Sequence, residues 1–169
     1  MALGIGVLAL FLYLGTLSRH YSADSVLYAL QVEGGALETI VDPSHLLLEP
    51  LGYGWYAAWQ AAGWDGGALA PLQVINALAG GGSVVLLYGI VRGLTSSRRI
   101  AGLIAAGFAV SGGLWHLSVE AEFVTVPLVT MLLALWLILT PPAGLAGRRV
   151  VYAVLLGAAV ALASLTYLS

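Results

Sequence analysis

The chain has 169 residues, of which 60% are hydrophobic and 8% charged. Its mean hydropathy of +0.98 excludes an ordinary soluble domain and points to an integral membrane protein. With six arginines, no lysine and a net charge of −2 there is no basic face for nucleic acid, and the absence of cysteine excludes disulfides and thiolate metal centres.

In chain order, residues 1–17 form the first apolar run. It lacks the basic leader and small-residue cleavage site of a secretory signal, and is read as an uncleaved first span. Residues 18–68 then carry six of the eight acids: Asp24, Glu33, Glu38, Asp42, Glu49 and Asp65. Within this loop residues 24–33 predict a short helix, with Ser22 or Asp24 as its cap and Gly34 and Gly35 at its end. Residues 46–64 are apolar but rich in rings, Tyr53, Trp55, Tyr56, Trp59 and Trp64. Rings with one dry side and one wet edge suit the membrane boundary, so residues 50–62 are expected as an interfacial helix, with Pro50 in its first turn.

Four further apolar runs follow, at residues 69–91, 100–115, 123–140 and 150–168. Arg92, Arg98 and Arg99 separate the first two, and Arg148 and Arg149 the last two. By the positive-inside rule both arginine loops are cytoplasmic, which puts the 18–68 loop and the 116–122 turn outside with all the acids. Reading residues 46–64 as a further span would reverse this arrangement. The expected fold is therefore all-α: a polytopic membrane protein of about five transmembrane helices, a single domain over 1–169, with a large first external loop bearing short interfacial helices. Gln73 and Asn76 are expected to make interhelical hydrogen bonds. The small residues 79–83 lie inside a span without the lysine of a phosphate loop, and predict close helix packing.

Two acidic points emerge on one side. Asp24 reads either as a helix cap or as a reactive carboxylate. His116, Glu120 and Glu122 lie where the chain leaves and re-enters the membrane, either as a solvated turn or as oxygen ligands for Mg²⁺, Mn²⁺ or Ca²⁺.

The segments "SRHYSADSVLYAL", "DPSHLLLEPLGYGWYAAW", "VINALAGGGSVVLLYGIVRGLTSSRRIAGLIAAGFAVSGG" and "VEAEF" together resemble the N-terminal part of the GT-C glycosyltransferases. These enzymes take a sugar from a polyprenyl-phosphate carrier, and include protein mannosyltransferases, aminoarabinose transferases and oligosaccharyltransferases. The likeness covers about residues 1–140. It implies that Asp24 orients or deprotonates the acceptor and helps to hold metal, and that Glu120 and Glu122 bind a divalent cation, Mg²⁺ or Mn²⁺. It also implies substrate contacts at Arg19, His116 and His45, the last within a segment similar to the family's His-Pro-Pro-Leu stretch. Implied partners are a lipid-linked sugar donor, membrane lipids and the remaining C-terminal part or a partner subunit, since the family has eight or more spans. No organic cofactor and no nucleic acid are implied, and the expected location is the plasma membrane of a prokaryote with the acidic loop outside.

Two other classes compete with the transferase reading. A non-catalytic membrane scaffold predicts carboxylates that tolerate alanine. A metal-binding membrane protein or transporter predicts Zn²⁺ on the i, i+4 pairs His20/Asp24 and His116/Glu120. Against transport, the ionisable residues sit at span ends rather than at mid-bilayer.

Overall fold

The apolar runs fold as helices because a chain segment leaving water must satisfy its own backbone polar groups. A computed structural model describes residues 1–35, 47–122, 124–140 and 149–167, and these contain eight helices and no strand. They are α1 (Ala2–Gly15), α2 (Ala23–Gly34), α3 (Leu48–Ala61), α4 (Leu69–Thr95), α5 (Arg98–Ala109), α6 (Gly112–Val119), α7 (Thr125–Leu139) and α8 (Arg149–Tyr167).

The 27 residues of α4 reach about 40 Å at 1.5 Å per residue, and α4 is the hub against which α1, α5, α6 and α7 pack, with α8 against α7. By length and apolarity α4 is sufficient to cross a membrane, and α5 and α6 pass the same test taken together. The other apolar runs appear as shorter helices: α1, α7 and residues Val150–Leu165 of α8.

The run at 100–115, expected as one span, is two helices bent by 56°. Ser111 is extended (φ −63°, ψ 136°) and is followed by Gly112 and Gly113, which resist helix continuation. The break leaves carbonyls at the end of α5, and side chains serve them. Tyr13 Oη donates to Ala109 O at 2.8 Å, and Ser111 Oγ to Phe108 O at 2.7 Å.

Small residues let the helices close on α4. A methyl group at Gly6 would overlap Val85 of α4, and one at Gly82 would lie 3.2 Å from Val129 of α7. At Gly80 it would overlap the Oγ and Cβ of Ser118 and lie 3.2 Å from a ring carbon of Tyr13. Gly80→Val is therefore expected to destabilise the bundle by about 1–3 kcal/mol through overpacking, read as a lower unfolding midpoint in detergent.

The bundle is apolar outside and partly polar inside. Leu3, Leu8, Phe11, Leu103, Val150 and Val154 are exposed, whereas Gln73, Asn76, Ser83, Ser118 and Thr125 are buried. That inversion suits packing in lipid, where hydroxyls and amides join helices and leucines face the solvent.

The loop helices follow their local signals. Ser22, extended at φ −66° and ψ 160°, caps α2 by accepting from Ser25 N at 3.0 Å, and Gly35 ends it in the left-handed region at φ 60°. Helix α3 begins at Leu48, two residues ahead of the expected start at Pro50. Trp55 Nε1 donates to Pro71 O at 2.8 Å and Tyr56 Oη to Gly66 O at 3.1 Å, tying α3 to the start of α4. Trp59 packs edge-on against Trp55 and Trp64, with ring centres 6.2 and 5.5 Å apart. Glu33 joins α2 to the same corner: its Oε1 accepts from Ala68 N at 2.7 Å, at an α4 terminus without a side-chain cap. Glu33→Ala is expected to cost about 1 kcal/mol, the usual worth of such a cap, measurable as a small fall in unfolding midpoint.

Candidate functional site

At the end of the bundle opposite Arg92, Arg98 and Arg99, the backbone between α6 and α7 leaves helical geometry. Its carbonyls need donors, and the first turns of α4 supply them. Gln73 and Asn76, three residues apart on one helical face, are both buried there. Gln73 Nε2 donates to Ser18 O and Val119 O, each at 2.9 Å, and Asn76 Nδ2 to Glu120 O at 2.9 Å and Glu122 O at 2.7 Å. Thr125 Oγ1 donates to Asn76 Oδ1 at 2.9 Å, orienting the amide, and Ser18 N donates to Val119 O at 3.1 Å. Two amides thus hold the chain after α1 and the turn after α6 against one helix.

The clamp fixes Glu120, which is extended (φ −93°, ψ 163°) and 3% exposed. Its Oε2 accepts from Ser25 Oγ at 3.4 Å, and Ser25 is itself buried beneath the Ser22 cap. Helix α2 therefore docks on the α6–α7 turn, joining regions 95 residues apart. A cavity of about 350 Å³ opens beside this contact, with Thr16, Ser18, Trp115, His116 and Glu120 among its lining residues. Trp115 Nε1 donates to Thr16 Oγ1 at 2.9 Å, which sets the indole in the wall.

The expected site residues divide into those that meet here and those that do not. His116 and Glu120 line the cavity together, and Glu122 is half-buried in the same turn with its carbonyl held by Asn76. Asp24 is exposed in the first turn of α2, next to Ser25, and Ser22 rather than Asp24 makes the cap hydrogen bond. Arg19 is exposed just beyond α1. His45, Glu38 and Asp42 lie outside the described residues.

The i, i+4 pairing does not survive the geometry. Helix α2 begins only at Ala23, after His20, and α6 ends at Val119, before Glu120. Neither pair therefore shares a helical face. Among the described residues no three His, Asp or Glu side chains converge as a group that could hold a metal ion.

Ser25, Thr16 and Trp115 carry no local sequence signal for a place in this site. The Ser22-x-x-Ser25 spacing marks only a helix start, and the partner of Ser25 lies across the fold. A second cavity, about 600 Å³ between α7 and α8, is lined by Leu128, Met131, Leu135, Ile138, Val160 and other apolar side chains with Ser164, and holds no titratable group. Comparison with protein-family models, with curated proteins and with solved structures gives no match.

Proposed function

We propose that the chain is the N-terminal membrane module of a glycosyltransferase that takes a sugar from a polyprenyl-phosphate carrier at the outer face of a membrane. Five apolar segments would cross: α1, α4, the bent pair α5–α6, α7 and α8. The observation that carries the reading is the Ser25–Glu120 contact, which brings the helix bearing Asp24 against a buried acid beside a cavity that His116 and Trp115 also line. The inverted polarity of the bundle and the separation of arginines from these acids support the membrane setting.

In this reading the acceptor hydroxyl attacks the anomeric carbon of the donor. A bond forms from acceptor oxygen to that carbon, while the bond from the carbon to the phosphate oxygen breaks with inversion. The polyprenyl phosphate leaves with the electron pair, and the hydroxyl proton passes to the carboxylate of Asp24 as general base. Arg19, exposed at the same end, contacts the carrier phosphate, and His116 with Glu120 orients the bound substrate. No step is routed through a metal ion, because the described carboxylates do not converge on one.

The test is transfer of labelled sugar from polyprenyl-phosphate hexose and pentose donors, using membranes that contain the full natural protein. Label should leave the lipid phase with wild type and much less with Asp24→Asn. Absence of transfer from every donor would overturn the proposal.

A further inference from the structure

A carboxylate withdrawn from water is costly unless a cation or several hydrogen bonds compensate it, and more so near hydrocarbon. Glu120 has little of either from the protein, so what fills the cavity, water or a ligand, must supply the rest. It is 3% exposed, its carboxylate takes one long hydrogen bond of 3.4 Å from Ser25, and among the described residues it makes no ion pair. The clamp holds its main chain without serving its charge, since Gln73 and Asn76 direct their N–H groups to carbonyls.

The cavity that Glu120 lines has Trp115 in its wall, and neither arginine nor lysine lines it. A negative charge beside an aromatic surface, with His116 as the one basic side chain of the lining, favours an organic ammonium: the carboxylate supplies a charge-assisted hydrogen bond, and the ring tolerates both alkyl body and charge. The same wall disfavours a phosphate. A divalent metal is poorly served as well, because it requires several oxygen or nitrogen ligands and among the described residues no group of three converges. The volume of about 350 Å³ is at the small end for ligand pockets, suited to a single sugar or a short amino alcohol.

We propose that this cavity binds a primary ammonium group, with Glu120 as its counter-ion and Trp115 as its apolar wall. The amine belongs either to a small substrate, such as an amino sugar, or to an ethanolamine lipid headgroup. Binding of this kind needs no transfer reaction, so the inference stands or falls separately from the transferase reading.

The test is equilibrium binding of labelled glucosamine and ethanolamine, and of their uncharged N-acetyl forms, to protein in phosphatidylcholine nanodiscs without any sugar donor. The amines should bind saturably and at least about tenfold more tightly than the N-acetyl forms, a ratio readable on the wild type alone. Glu120→Gln should remove that preference, whereas Glu122→Gln should keep it. Exchange into phosphatidylethanolamine nanodiscs then identifies the source. Weakened binding of the soluble amines marks the headgroup as occupant, and unchanged binding marks a substrate amine. No saturable binding, equal binding of charged and acetylated forms, or an undiminished preference in Glu120→Gln would each overturn the proposal.

Discussion

Asp24→Asn is expected to lower the rate of sugar transfer by about 10²- to 10⁴-fold, the usual contribution of a positioned general base. Its effect on folding should be small. The side chain is exposed in the first turn of α2, and the cap hydrogen bond that starts the helix belongs to Ser22. Loss of one negative charge near a helix N-terminus costs about 0.3–1 kcal/mol, well below what an asparagine of the same shape would need to unfold a bundle. The pairing of a large rate loss with a nearly unchanged unfolding midpoint separates a base from a structural cap. A fall in midpoint with transfer intact would assign Asp24 to the cap instead.

Asn76→Leu should do the opposite, destabilising the protein by about 2–4 kcal/mol and taking transfer down with it. A single interhelical hydrogen bond in lipid is worth about 0.6 kcal/mol on average, so one lost bond would be a minor event. Here one buried side chain serves three groups: the carbonyls of Glu120 and Glu122 and the hydroxyl of Thr125. Leucine fills the space but removes all three bonds; Glu122 O keeps Val124 N and the Thr125 hydroxyl keeps the main-chain oxygen of residue 76, so the Glu120 carbonyl is the group left unserved, and its cost adds to the bonds lost. The α6–α7 turn loses its attachment, and Glu120 loses the geometry that holds it at Ser25. Thermal unfolding in detergent checks the stability term, and a change of less than about 1 kcal/mol would mean that the clamp is not the organising feature of this end.

Much of the fold follows from local pattern. The apolar runs, Ser22 as a cap, Gly35 as a stop and the small residues within α4 are all signals confined to a few consecutive positions, and each has its counterpart in the described helices. The bend at Ser111 escaped a hydropathy reading because Gly112 and Gly113 do not interrupt an apolar average, although they weaken a helix. Gln73 and Asn76 stood out as polar residues in an apolar run, but their partners are main-chain carbonyls of a distant turn, which no sequence pattern encodes. The same holds for Ser25 and Glu120, 95 residues apart. Asp24 and the Glu120 turn were legible as acids on one side of the bundle, whereas the contact that joins them, through the neighbouring Ser25, is a property of how α2 docks.

The end of the bundle holding Asp24 and Glu120 is proposed to work on a lipid-linked sugar. The most direct measurement is the rate at which labelled sugar leaves a polyprenyl-phosphate donor in membranes containing the full natural protein, compared among wild type, Asp24→Asn and Glu120→Gln. Transfer by wild type that falls at least about a hundredfold in Asp24→Asn and clearly in Glu120→Gln is the predicted result. Wild-type membranes that leave every hexose and pentose donor intact, or variants that transfer as fast as wild type, would contradict it.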